Sequence, residues 1–192
     1  MRRLVIKLAV VCSLAMAGAV AGAATTAAEQ GAAKYLGGLV LLDQDGHRVD
    51  LYRDVVAGHT VVMHSFFAGC GDSCPVAMAA LKATQDRLGS RLGSEVRLIS
   101  ITVDPFHDTP VALKAYAGRM KAQPGWLFLT GSEQQVAEAL KRIGMWTGDP
   151  ASHMDIMVAG NMRTGLWKKI HGTAEGAKVV DLIMGVADDA GR

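Results

Sequence analysis

The hydrophobic pattern of the chain alternates between short apolar runs and longer segments in which apolar residues recur every three or four positions. Short apolar runs bounded by turn residues are typical of buried strands, whereas the longer period is typical of amphipathic helices. Three of the runs predict core strands at residues 61–67, 96–103 and 126–129. Further runs predict shorter strands at residues 39–42, 49–51, 154–159 and 166–170. Two turn dipeptides, Asp45-Gly46 and Gly160-Asn161, join the first pair and the last pair of these shorter strands into hairpins.

The clearest helical pattern follows the first core strand. Apolar residues recur at three- and four-residue steps from Ser73 to Leu92, and Pro75 lies in the first turn, where its missing N–H is tolerated. Asp72 and Ser73 are both able to cap this helix. Helix-start residues predict the remaining helices over 111–120, over 133–143 and from Thr173 onward.

The predicted order of elements is β-β-β-α-β-α-β-α-β-β-α. Helices that alternate with apolar strands indicate an α/β fold with a central mixed sheet covered on both faces. A closing hairpin after a βαβ unit, with two cysteines where the first core strand meets its helix, is the layout of the thioredoxin superfamily. We therefore predict a thioredoxin-like fold with an N-terminal β-hairpin.

The N-terminus has the pattern of a targeting segment. Basic residues precede an uncharged apolar stretch at 8–20, and the small residues Ala21-Gly22-Ala23 follow as a cleavage site. We predict a signal peptide over 1–23, with an uncleaved membrane anchor as the alternative. A flexible tether over 24–36 and one domain over 37–192 would follow, and the domain would work outside the cytoplasm, most simply in a bacterial periplasm.

Composition narrows the class of protein. Half of the 192 residues are hydrophobic, so the chain can form a packed core. The formal net charge is only +2, which argues against nucleic acid as a partner.

Cys70 and Cys74 are the cysteines that remain when Cys12, which lies in the leader, is set aside. Both lie near the start of a predicted helix, where the partial positive charge stabilises thiolate. Thiolate is both a nucleophile and a metal ligand, so spacing alone leaves redox chemistry and metal binding open. A disulfide staple is the third interpretation, although so short a loop gains little stability from closure.

A histidine would complete a soft metal site with two cysteines. Two thiolates and an imidazole suit Cu(I), whereas structural zinc sites usually have four protein ligands. His153 precedes the closing hairpin and is the best candidate by position, ahead of His64 and His107. The other histidines are expected at the surface: His47, His59 and His171.

Two motifs identify a family resemblance. Segment 66–75, FFAGCGDSCP, resembles the Cys-x-x-x-Cys-Pro motif of the Sco/SenC proteins, and segment 99–110, ISITVDPFHDTP, resembles their Ser-x-x-Val-Asp-Pro-x-x-Asp-Thr-Pro motif. His153, followed by a hydrophobic strand, lies where that family has its single ligand histidine. Further matches occur at Leu113, Tyr116, Trp126, Leu129, Thr130 and Gly131. The resemblance extends over 39–172.

The resemblance implies a copper-binding protein with Cys70, Cys74 and His153 as the metal ligands. It implies delivery of copper, or reduction of thiols, during assembly of the CuA site of cytochrome c oxidase, whose subunit II or another copper protein would be the partner. Asp72 and Asp104 are candidates for orienting a ligand or ordering a loop. A non-enzymatic copper chaperone is the favoured interpretation, and a thiol–disulfide oxidoreductase that uses Cys70 and Cys74 is the alternative.

Three departures from the family pattern concern the surroundings of the histidine. Ser152 precedes His153 where the family usually has Asp, the usual Asp-Pro-x-Gly turn is replaced at 159–162, and His64 takes a usually apolar position. Four methionines also cluster in sequence around His153, at positions 145, 154, 157 and 162. We interpret them as packing residues, with a thioether path for copper exchange as the alternative.

Overall fold

The computed structural model describes residues 26–69, 75–148, 156–172 and 175–191. The elements within these ranges are α1 (Ala27–Leu36), β1 (Val40–Leu42), β2 (Arg48–Asp50), β3 (Thr60–Phe66), α2 (Pro75–Leu88), β4 (Val96–Thr102), α3 (Pro110–Arg119), β5 (Trp126–Leu129), α4 (Glu133–Arg142), β6 (Ile156–Asn161), β7 (Trp167–His171) and α5 (Gly176–Ala187). The start predicted for the last helix, Thr173, lies outside the described residues.

The central sheet has five strands in the order β5-β4-β3-β6-β7. Strands β3, β4 and β5 are parallel, whereas β6 runs antiparallel to β3 and β7 antiparallel to β6. Strands β1 and β2 form the separate antiparallel hairpin predicted from the sequence. The predicted thioredoxin-like arrangement of a mixed sheet with an N-terminal hairpin is therefore confirmed.

Alternating residues of the sheet face two hydrophobic cores. Val62 and Phe66 face the core formed with α2, α3 and α5, whereas Val61 and Met63 face the core formed with α1 and α4. The β3 strand is buried along its whole length, as expected for the central strand of a sheet covered on both faces. Its pairing with β4 continues to Phe66, and the segment with the cysteines follows this residue in sequence.

Helix α1 replaces most of the flexible tether that we expected over 24–36. Thr26 and Glu29 form a capping box at its start, and Ala32 and Leu36 are buried against the sheet. The alanine-rich composition that suggested a tether is also the composition with the highest helix propensity. A reciprocal cap and an apolar face are enough to turn that propensity into a docked helix.

Two turns also differ from the predicted ones. The loop between the last two strands is not at Gly160-Asn161, because both residues belong to β6 and the turn follows at 162–165. Asn161 Oδ1 accepts hydrogen bonds from the N–H groups of Arg163 and Thr164, which stabilises the turn one step later. After β2, residues Leu51–Val56 form a π-helical turn that Asp50 caps, so Leu51 does not extend the strand.

Within the described residues, none of the helices combines the length and the apolar character needed to cross a bilayer.

Candidate functional site

The cysteine segment joins the end of the central strand to a helix. Strand β3 ends at Phe66, and helix α2 begins at Pro75. Cys70, Asp72 and Cys74 lie between these points and are outside the described residues, as is His153. The structure therefore shows the frame around the predicted ligands, and their roles stay predictions.

Strand register relates the two ends of that frame. His64 of β3 pairs with Met157 of β6 in antiparallel orientation, so β6 starts at the end of the sheet where β3 finishes. The chain that leaves β3 leads to Cys70, and the chain that enters β6 comes from His153. Both segments therefore join the sheet at the same end of its strands, although His64 and Met157 are 93 positions apart in sequence.

A buried carboxylate holds the chain just before Cys70. The Ala68 N–H donates a hydrogen bond of 2.9 Å to Asp108 Oδ2, and the Thr102 hydroxyl donates one of 2.5 Å to the same oxygen. Asp108 is only 3% exposed. Burial raises the pKa of its carboxyl group, and the hydrogen bonds from Thr102 and Ala68 oppose that rise. Asp108 thus ties residues 104–108, here called the 104–108 loop, to the start of the cysteine segment.

Asp104 orders this same loop. Its carboxylate accepts a 2.7 Å hydrogen bond from His107 Nδ1, and its own N–H donates to the Thr102 hydroxyl at 2.9 Å. The sequence suggests that Asp104 orients a ligand or orders a loop, and these contacts agree with the second role. The long-range contact is made by Asp108, to which sequence reasoning gave no role of its own, although the residue stands inside the Asp-Pro-x-x-Asp-Thr-Pro motif.

The described histidines lie in different environments. His64 is buried in β3, with Ser100 and Met157 as its neighbours in register on the adjacent strands. His107 is exposed on the 104–108 loop, and His171 is exposed at the end of β7. His59 Nδ1 lies 2.7 Å from the carbonyl oxygen of Ala57.

One group of three metal-binding side chains occurs among the residues that the structure describes, formed by Asp43, Asp45 and His47. It belongs to the turn of the N-terminal hairpin. The N–H groups of Asp45 and His47 donate to Asp43 Oδ1 at 2.9 and 2.8 Å, and Lys114 Nζ lies 2.9 Å from Asp45. These bonds explain why the three side chains lie close together, since they stabilise the hairpin turn.

Three of the four methionines near His153 in sequence are fully buried. Met145 and Met162 belong to the core beneath α1 and α4, and Met157 to the core on the opposite face. The packing interpretation is confirmed for these three, because a buried thioether cannot exchange copper with a carrier. The fourth, Met154, lies outside the described residues.

Large apolar side chains are exposed on the elements that flank the cysteine segment. Phe106 is 85% exposed, Val111 at the start of α3 is 80% exposed, and Val76 in the first turn of α2 is 49% exposed. Phe106 also borders a cleft of about 450 Å³ that extends to Ser132 and Trp146.

Comparison with known proteins gives a family match. The family model described as SCO1/SenC matches residues 27–155. The SCO1 protein homolog of Bacillus subtilis is 33% identical over 97 residues, which are 50% of this chain and 49% of that protein. This chain spans about half the length of the curated relatives it matches.

Solved structures show the same fold. The copper-bound crystal structure of ScoI from Arabidopsis thaliana has a TM-score of 0.64 and 22% identity, and the match covers 77% of this chain and 95% of that one. The structure of BsSco, described with a disulfide switch and as a Sco-family cytochrome c oxidase assembly protein, has a TM-score of 0.62 and 24% identity, covering 77% of this chain and 90% of that one.

Proposed function

This chain belongs to the SCO1/SenC family, and on that premise we propose that it is a copper chaperone that binds Cu(I) and Cu(II) through Cys70, Cys74 and His153. The observation that carries the proposal is the extent of the family match, since residues 27–155 include all three predicted ligands. The Arabidopsis relative of the same fold binds copper.

The chemistry of the donor set supports copper as the cargo. Two thiolates and one imidazole are soft and borderline ligands, which Cu(I) prefers over harder oxygen donors. The positive end of α2, which begins directly after Cys74, favours the thiolate form that binds metal.

The sheet register supports the participation of His153. Strand β3 leads into the cysteine segment at the end of the sheet where β6 begins. His153 precedes Ile156, the first residue of β6, by three positions. The two segments that would supply the ligands therefore join the described sheet at the same end.

Delivery would proceed by ligand exchange. The cysteines of a receiving protein would replace Cys70, Cys74 and His153 one after another, so that copper is never released to water. The receiving protein we propose is subunit II of cytochrome c oxidase at its CuA site, or another periplasmic copper protein. The exposed side chains of Phe106, Val111 and Val76 would form part of the docking surface.

Copper titration of the reduced protein without oxygen tests the ligand set. We expect one copper per chain, and we expect C70S, C74S and H153A each to weaken binding by at least about tenfold. H59A is the control, because His59 directly precedes β3 and lies at the opposite end of that strand from the cysteine segment. Unchanged stoichiometry and unchanged Cu(II) optical bands in H153A would show that His153 is not a ligand.

A thiol–disulfide oxidoreductase is the second candidate function, favoured by the fold and by the disulfide switch described for BsSco. One cysteine would attack a partner disulfide as thiolate, and the other would resolve the mixed disulfide, so that the partner is reduced and Cys70 and Cys74 are oxidised. The reduction potential of the pair and turnover on a disulfide peptide measure this activity. A pair that does not react with the peptide excludes it.

We propose a periplasmic location from the basic, apolar and small-residue pattern of residues 1–23. N-terminal sequencing of the exported protein tests it. A mature chain starting at Ala24 supports cleavage of a signal peptide, and an intact Met1 supports an anchor.

A further inference from the structure

His107 is an exposed imidazole whose orientation is fixed by a carboxylate. Its Nδ1 lies 2.7 Å from Asp104 Oδ2, and its backbone N–H donates to Asp104 Oδ1 at 3.4 Å. The His107 side chain is 73% exposed, whereas that of Asp104 is only 23% exposed. Because a carboxylate only accepts, the neutral ring in this contact carries its proton on Nδ1 and its lone pair on Nε2. This carboxylate–histidine arrangement is the one that commonly supports metal-binding histidines.

Hydrogen bonds connect this histidine to the start of the cysteine segment. Asp104 N–H donates to the Thr102 hydroxyl, and that hydroxyl donates to Asp108 Oδ2, which also accepts from Ala68 N–H. His107 directly precedes Asp108 in sequence, and the Asp108 carboxylate accepts a hydrogen bond from Ala68, which lies two positions before Cys70. A continuous set of hydrogen bonds thus joins the imidazole to the chain at Ala68.

The neighbouring aromatic ring leaves the imidazole open to solvent. The rings of Phe106 and His107 meet edge to face, with centroids 4.9 Å apart and an angle of 86° between planes. Phe106 is itself 85% exposed. The 104–108 loop thus presents an apolar ring and an oriented nitrogen ligand together, and a copper carrier docking there would meet both.

We propose that His107 is a capture ligand for Cu(I), which takes copper from a donor complex and passes it to the cysteine pair. This inference rests on the proposed copper function. Copper stays Cu(I) throughout, so no electron is transferred. One bond from copper to a donor ligand is replaced by a bond to His107 Nε2, and a cysteine sulfur then replaces Nε2. A thiol that is still protonated releases its proton to water at that step.

The chain supplies a matched control. His47 is also an exposed histidine beside an aspartate, with Nδ1 3.3 Å from Asp43 Oδ2 and a side chain that is 75% exposed. It lies on the turn of the N-terminal hairpin, whereas His107 lies on the 104–108 loop, whose Asp108 accepts a hydrogen bond from Ala68 N–H. H47A therefore removes the same chemical group from a turn outside the 104–108 loop.

Transfer of Cu(I) from its coloured bicinchoninate complex to the reduced protein tests the proposal by stopped-flow absorbance. We expect H107A to slow transfer by about tenfold, and D104N to slow it by less, because Asp104 only orients the ring. H47A should match the wild-type rate. The final distribution of copper should change less than about twofold in H107A, since a capture ligand is not part of the final site.

A direct measurement complements the rates. In the C70S/C74S variant, we expect Ag(I), a diamagnetic substitute for Cu(I), to shift the ¹⁵N resonance of His107 Nε2 while Nδ1 remains protonated. Equal transfer rates for H107A and wild type, or an unshifted Nε2 resonance, would overturn the proposal for His107. Wild-type protein that takes no copper from bicinchoninate would instead overturn the proposed copper function.

Discussion

Ala68 and Asp108 are joined by a hydrogen bond of 2.9 Å across 40 positions of sequence. Ala68 begins the chain segment that leads to Cys70, and Asp108 ends the loop that follows β4. The neighbouring contact, from Val103 N–H to the carbonyl oxygen of Phe66 at 2.8 Å, continues the pairing of β3 with β4 to the same point. A buried carboxylate thus sets the direction in which the chain leaves the sheet.

Removal of this carboxylate should destabilise the protein. D108A leaves the Ala68 N–H and the Thr102 hydroxyl without their shared acceptor, and we expect the free energy of unfolding to fall by about 2–3 kcal/mol. D108N keeps a side-chain oxygen as acceptor, so its loss should be smaller. Urea unfolding measures both. Equal losses in the two variants would show that the side chain acts by its charge and not as an acceptor.

The same residue should give stability a characteristic pH dependence. Because burial raises the pKa of Asp108 in the folded state, the folded protein holds this proton more tightly than the unfolded chain. Its contribution to the free energy of unfolding therefore falls as pH rises from the ordinary carboxyl pKa, about 3.9, through the raised value. We expect the stability of D108N to improve relative to wild type over that window and then to stay level. A stability deficit of D108N that grows with rising pH over this window would contradict the raised pKa.

Gly125 should not tolerate a side chain. It has φ of +101°, and a Cβ there would lie 2.3 Å from Gly93 N and 2.5 Å from Gly93 Cα. We expect G125A to lower the free energy of unfolding by about 3 kcal/mol or more, because backbone atoms must move. G118A is the control: Gly118 lies within α3 with no atom within 4 Å of its Cβ position. That change should stabilise the protein by about 0.5–1 kcal/mol.

Docking of α1 can be tested with two adjacent residues. Leu36 is 3% exposed and Tyr35 is 56% exposed. We expect L36A to cost about 2–4 kcal/mol of unfolding free energy, because it leaves a cavity in the core. Y35A should cost less than half as much. Thermal or chemical unfolding gives both values, and a neutral L36A would mean that 27–36 behaves as a tether in solution.

Local sequence patterns predict the elements that depend on residues close together in the chain. Residues close together in sequence account for the central strand, which is predicted over 61–67 and found at Thr60–Phe66, and for the Ser132–Gln135 capping box and the buried stripe of α2. Helix α1 was missed because its alanine-rich composition suggested a tether, although Thr26 and Glu29 already have capping-box spacing.

The frame of the candidate site was harder to predict, because its main contact is long in range. Nothing near Asp108 in the sequence shows that its carboxylate will meet Ala68, and before a helix start an aspartate suggests only a cap. Asn161, which the sequence predicts in a loop, is a related case. Its side chain stabilises the following turn and donates to the carbonyl oxygen of Val186 on α5, a contact that depends on tertiary structure.

The pairing of β3 with β6 has a consequence for how the protein folds. The β3–β4 pair closes a short crossover through α2, whereas the β3–β6 pair joins residues as distant as Thr60 and Asn161. Distant pairing carries the larger loop-closure entropy, so we expect β6 to dock late in folding. The chain that leads to Cys70 and Cys74 would then be joined to the sheet before the segment that precedes β6 arrives. Copper bound across both segments, as proposed, would act as a thermodynamic clamp on this late step, and the loaded protein would unfold at a higher temperature than the empty one.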